Sequence, residues 1–210
     1  MKGVDSFQHV GDNGMIKITV FEYLLIISPS EEVRRFVWRI KRIFADRYKC
    51  TMAVGLIPHI TMGNWGRSDC DEARIITNIG RFAETMSPFI AHFEGLSHFK
   101  TETIFVSVLN KEPFEEISKG LKTSTKALFQ NHVEFPENAH LTVARKMELH
   151  QFESAWSEWK DEELKASCEV NEMILLRRSV GKEGCGKYQK IATFPLRGKK
   201  PPMEQLALDF

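Results

Sequence analysis

Two stretches decide how this chain folds: Pro58-His59-Ile60-Thr61-Met62-Gly63-Asn64-Trp65 and Ala139-His140-Leu141-Thr142-Val143-Ala144-Arg145. They fall on the extended segments Val54–Trp65 and Ala139–Ala144, in which neighbouring side chains alternate between faces. His59 and Thr61 therefore project together, as do His140 and Thr142, while Ile60 and Leu141 point into a core. The chain holds seven His and eleven Thr. Chance alone then gives ~0.4 H-x-T tripeptides, and two or more in roughly 5% of such chains, so one would be noise and a matched pair is a signal.

The elements around the two stretches repeat. Met15–Ser28 is rich in β-branched and aromatic residues and predicts a strand. Pro29-Ser30-Glu31-Glu32 opens a helix whose apolar residues Val33, Phe36, Val37, Ile40, Ile43 and Phe44 recur at spacings of three and four. After the first motif come a helix over Asp71–Met86 and a strand over Phe89–Phe99. The pattern then restarts. Ile104–Leu109 is a strand, and Asn110–Pro113 opens a helix carrying Phe114, Ile117, Leu121 and Leu128. The second motif is followed by a helix over His150–Leu164. Strands over Glu169–Arg178 and Tyr188–Leu196 close the pattern, joined by a hairpin around Gly181, Gly184 and Gly186. His59 lies 31 residues after Ser28, and His140 lies 30 after Asn110. The expected fold is α+β: a bilobal chain of duplicated strand-helix-strand-helix-strand units, with two antiparallel sheets forming a central cleft. A flexible arm (1–14) precedes one bilobal domain (15–196). Its lobes, about 15–100 and 101–196, are free to exchange strands, and a flexible tail (197–210) follows.

Composition narrows the function. The 29 Lys and Arg nearly balance the 28 Asp and Glu, leaving a net charge of +1, which argues against a protein that coats nucleic acid in bulk. The apolar runs are short and interrupted, as by Glu22, and the first 14 residues lack the apolar stretch of an export signal, so a cytoplasmic protein is expected. The four cysteines, Cys50, Cys70, Cys168 and Cys185, form no C-x-x-C pair and read as reduced thiols. No H-E-x-x-H set, phosphate-loop lysine or dinucleotide glycine motif is present, so neither a metal nor a cofactor is expected.

If the lobes pack symmetrically, two imidazoles and two hydroxyls converge on one cleft, a set that suits acid–base work on a phosphodiester. One neutral imidazole takes a proton from the nucleophile, and the other, as imidazolium, gives one to the leaving oxygen. Thr61 and Thr142 can donate to the non-bridging oxygens, which carry charge in the transition state. Arg145 is the best further phosphate ligand, being always charged and able to bind bidentately. Strict alternation puts it out of phase with His140 and Thr142, so a bulge or a long reach is required. Tyr188 and Trp65 are candidates for base or rim contacts.

Over about Met15–Leu196 the chain resembles the 2H phosphoesterase superfamily, which includes the RNA 2′,3′-cyclic phosphodiesterases known historically as 2′-5′ RNA ligases. The second motif is especially similar, since the family often shows H-x-T, an apolar residue, any residue and Arg. The resemblance implies a metal-independent hydrolase opening 2′,3′-cyclic phosphate RNA ends or related nucleotides. His59 and His140 would be catalytic, with Thr61, Thr142 and Arg145 on the phosphate. Run in reverse, the same site would join a cyclic end to a 5′-hydroxyl. The expected partner is an RNA 3′ end or a small cyclic nucleotide, bound by a monomer. A non-catalytic module binding RNA ends or nucleotides on the same fold is the alternative. Gln205-Leu206-Ala207-Leu208-Asp209-Phe210 resembles the peptide by which bacterial replication and repair proteins bind the sliding clamp, which makes the clamp a second candidate partner.

Overall fold

Alternation along β1 (Val20–Ile27) sends Tyr23, Leu25 and Ile27 into the core at 1% exposure or less and leaves Glu22 on the opposite face. The computed structural model describes residues 20–68, 71–129, 135–136, 138–181 and 184–199. The arm 1–14, the start of the expected first strand and the Gln205–Phe210 peptide lie outside the described residues. β1 is flanked on one side by β2 (Ile60–Ser68) and on the other by β7 (Glu172–Gly181), both antiparallel. β7 continues to the short β8 (Gly184–Cys185) and to β9 (Gln189–Pro195). The second sheet runs β5 (His140–Arg145), β4 (Thr103–Val108), β3 (Phe89–Phe99), β6 (Lys165–Val170), again all antiparallel. Two curled antiparallel sheets with four helices make this an α+β protein, as the sequence leads one to expect.

The helices cover the outer face of each sheet, and two of them cross over. α1 (Glu31–Tyr48) follows β1 yet packs on β5 and β6, beside α4 (Leu149–Trp159), which lies on β4. α3 (Glu112–Phe129) follows β4 yet packs against β2 and α2 (Glu72–Thr85), which itself lies on β9. Ser30 caps α1, its hydroxyl accepting from the Val33 N–H at 3.3 Å. Lys49, left-handed at φ 60°, ends it. α2 and α3 approach so closely that a Cβ on Gly120 would meet the Phe82 ring at 2.1 Å. The chain thus enters the first sheet, builds the whole second sheet, and returns to finish the first.

The larger differences from the sequence reading are three. The extended segment read from Val54 becomes a strand only at Ile60, after a turn that follows a short 3-10 helix over Thr51–Ala53. The strand read over Glu169–Arg178 is two strands in different sheets, broken at Asn171. The helix read over His150–Leu164 stops at Trp159. No helix among the described residues is long and apolar enough to cross a membrane.

Candidate active site

The edge strand of each sheet carries one motif, and these two edges, β2 and β5, run beside each other. Ile60 and Leu141 are fully buried, while His59, Thr61, His140 and Thr142 are half-buried. Both pairs therefore face away from the helices, toward the groove between the sheets, as alternation requires.

Each strand is then interrupted at the same place. On β2, Thr61 pairs with Ile26 and Gly63 with Leu25, leaving Met62 as an extra residue. On β5, Thr142 pairs with Phe105 and Ala144 with Ile104, leaving Val143 extra. These bulges put two consecutive residues inward, Met62-Gly63 and Val143-Ala144, and reverse the alternation beyond. Arg145 consequently returns to the face of His140 and Thr142, and its charge acts on His59 and on Lys41 of α1. On β2 the same reversal turns Asn64 toward the groove and Trp65 away from it. Trp65 is 3% exposed and stacks on Tyr23, centroids 5.9 Å apart. The expectation that Trp65 contacts substrate at the rim is therefore wrong, and the bulge is the reason. Gly63 is bare because a Cβ there would stand 3.2 Å from the Trp65 ring and 3.4 Å from Phe135.

A second device is repeated in both halves. His59 Nδ1 donates to the Ile57 carbonyl at 2.8 Å, and His140 Nδ1 donates to the Asn138 carbonyl at 2.8 Å. A carbonyl only accepts, so Nδ1 carries the hydrogen in each ring and Nε2 is left to exchange protons. Neither threonine hydroxyl has a hydrogen-bond partner among the described residues, so both are open to a ligand. His98 makes a similar contact to the Lys100 carbonyl, but its ring lies against Phe152 and Trp156 of α4, on the helix side. The carbonyl contact alone does not make a site; the face does.

The surroundings of the two rings differ. Burial lowers the pKa of His59 and of His140 below the ordinary histidine value. His59 is lowered further by the positive charges of Lys41 and Arg145 and by His140, against the opposing effect of the Ile57 carbonyl. For His140 the opposing effect is that of the Asn138 carbonyl. The His140 ring rests on Phe99 and Phe105, with centroids 5.0 and 4.9 Å away.

At the far end of the first sheet's groove face, Glu22 accepts two hydrogen bonds from Arg178, one from the Tyr188 hydroxyl at 2.8 Å and one from Asn64 at 3.4 Å. Arg178 lies 4.5 Å over the Tyr188 ring. Tyr188 is thus held on the groove side with its hydroxyl already engaged. Sequence reasoning missed Glu22, Arg178 and Asn64 as one cluster, because only strand pairing brings them together. No group of three His, Cys, Asp or Glu among the described residues can hold a metal ion.

This architecture defines a class before it defines a relative. The chain belongs to the 2′-5′ RNA ligase superfamily, whose family model matches residues 3–182. Solved structures share the fold. E. coli LigT, crystallised with 3′-AMP, superposes with a TM-score of 0.62 at 13% identity, covering 84% of this chain and 98% of LigT. TT0787 of Thermus thermophilus gives 0.59 at 17% identity, covering 85% and 100%. A structure described as a phosphoesterase gives 0.60 at 13% identity, covering 83% and 98%. No curated protein matches this chain in sequence.

Proposed function

We propose that this protein is a 2H phosphodiesterase that opens 2′,3′-cyclic phosphates at RNA 3′ ends, or on small nucleotides, using His59 and His140 as its acid–base pair. The observation that carries the reading is the doubled Nδ1–carbonyl contact, which leaves two Nε2 atoms beside two unpartnered threonine hydroxyls on adjoining edge strands. Such a set has no evident use in a mere binder, which needs no matched proton donor and acceptor.

In this mechanism the cyclic phosphate sits between the motifs, its non-bridging oxygens accepting from Thr61, Thr142 and Arg145. Water attacks phosphorus as neutral His59 Nε2 takes its proton. The bond from phosphorus to one ribose oxygen breaks, and His140, as imidazolium, delivers its Nε2 proton to that oxygen. The products are a phosphomonoester and a free ribose hydroxyl, and one further proton exchange with water restores both rings. His59 is given the base role because Lys41 and Arg145 add positive charge to the burial that already opposes its protonation. An anionic substrate raises both pKa values, and His140 protonates first. The cyclic phosphate accompanying a nucleoside fits the fold relationship to LigT, which binds 3′-AMP in the crystal. Reverse joining to a 5′-hydroxyl uses the same groups. Against water at ~55 M it requires that the groove hold the second RNA end at high effective molarity.

The test is incubation of purified protein with a 2′,3′-cyclic nucleotide and with a short RNA bearing a 2′,3′-cyclic end, in EDTA, followed by phosphorus NMR. Ring opening to a single phosphomonoester isomer supports the reading, and the isomer names the oxygen that His140 protonates. Tight binding of either compound without turnover would replace it with a nucleotide-binding module.

A further inference from the structure

The inward face of α1 is apolar, formed by Val33, Val37, Ile40 and Phe44, with one exception: Lys41 is only 2% exposed. A buried ammonium loses its hydration, and proteins ordinarily compensate with a carboxylate. Here none lies within ion-pair distance among the described residues. The single hydrogen bond of Lys41 goes from Nζ to the Leu56 carbonyl, at 2.8 Å. Burial, with the positive charge of Arg145 acting in the same direction, lowers its pKa to about 8. A methionine would suit this position better if packing were its only purpose.

What Lys41 touches explains its presence. Leu56 immediately precedes Ile57, whose carbonyl receives the Nδ1 hydrogen of His59. The ammonium therefore grips the backbone one residue from the group that sets the histidine's tautomer. The second half has no counterpart among the described residues. The buried polar residues of α3 are Ser118 and Thr125, and Thr125 bonds back to the Leu121 carbonyl of its own helix. Among the described residues, the groups acting electrostatically on His59 are Lys41 from α1 and His140 and Arg145 from β5, with no acid opposing them.

We propose that Lys41 is a positioning residue for His59: it clamps the Leu56–Ile57 backbone so that Nε2 points into the groove, and it sets a fixed positive charge near that imidazole which adds to the effect of burial. This deepens the two-histidine reading above and rests on it. By this account the base is distinguished from the acid by a residue that never touches substrate.

The decisive experiment is an NMR titration of the imidazoles in the full chain, with Lys41→Met and Lys41→Arg compared with the unaltered protein. In the unaltered protein His59 titrates below His140. In Lys41→Met the His59 titration moves up toward that of His140, while His140 stays in place, and Lys41→Arg restores the original order. In kinetics on a 2′,3′-cyclic nucleotide, Lys41→Met moves only the acidic limb of kcat/KM to higher pH, giving a several-fold loss near pH 5 that shrinks toward pH 7. Thermal melting monitors the fold, and Lys41→Gln, which keeps a donor but no charge, serves if the methionine variant fails to fold. A folded Lys41→Met or Lys41→Gln protein with an unmoved His59 titration overturns the proposal. Because the titration needs no substrate, absence of turnover would remove the proposed reaction while the role of Lys41 stands or falls on the imidazole shifts alone.

Discussion

The two motifs share a backbone and differ in what surrounds it. Each sits on an edge strand, each ring is fixed through Nδ1 by the carbonyl two residues earlier, and each strand bulges just after the threonine. Beyond that, His59 has cationic neighbours, Lys41 and Arg145, whereas His140 rests on two phenylalanines. The bulge turns Asn64 into the groove in one half and Arg145 in the other. Duplicated backbone geometry delivers two equivalent imidazoles, and in the proposed mechanism it is the unequal side chains around them that divide the acid role from the base role.

The strongest way to break this comparison is to remove either ring. His59→Ala and His140→Ala should each lower kcat on a 2′,3′-cyclic nucleotide by about 10²–10⁴-fold, measured at the pH optimum of the unaltered enzyme. Equal activity in either variant would reduce the pair to one working histidine. Making the halves alike comes next. Arg145→Asn copies the residue found at the matching position of β2, and should cost about 10-fold or more in kcat/KM through lost phosphate binding. Arg145→Lys should recover only part of it, since a point charge does not reproduce the bidentate contact.

Stability separates the face toward the groove from the face toward the helices. Trp65→Phe should destabilise the fold by about 1–3 kcal/mol in denaturant unfolding without changing KM, because the indole lies in the core. A KM effect at unchanged stability would return Trp65 to the rim. Gly120→Ala should cost a similar 1–3 kcal/mol by forcing Phe82 off the α2–α3 contact. The smallest effect is on pH. Both rings have pKa values below the ordinary 6.5. In the proposed mechanism the active form carries a proton on His140 and none on His59, so kcat/KM should follow a bell centred on the acidic side of 6.5. The same shifts act on folding: the unfolded chain takes up protons more readily just below 6.5, so stability falls as pH drops through that value.

Much of this was legible in the sequence because strands have a period of two. The shared face of each His and Thr and the inward Ile60 and Leu141 follow from it directly, and the nearly equal offsets of 31 and 30 residues mark the repeat. The bulges did not follow, since Met62 and Val143 are ordinary apolar residues and only cross-strand register reveals the extra one. That is why Arg145 looked out of phase and why Trp65 stood among the candidates for rim contacts. β6 was hidden because Lys165-Ala166-Ser167-Cys168-Glu169-Val170 buries only small or short side chains, which leave a weak apolar signal. Sheet membership was equally hidden, since β3 and β7 find partners far away in sequence. Lys41 could not be singled out, because on a helical wheel it is one lysine beside an apolar stripe, and its burial depends on α1 crossing to the second sheet.

The pH dependence of kcat/KM in the two single-histidine variants tests the account most directly. With a 2′,3′-cyclic nucleotide as substrate, residual activity of His59→Ala should lose the acidic limb of the bell and keep the alkaline one. His140→Ala should lose the alkaline limb and keep the acidic one. The opposite assignment would exchange the roles, and a bell unchanged in both variants would contradict the claim that these two rings perform the proton transfers.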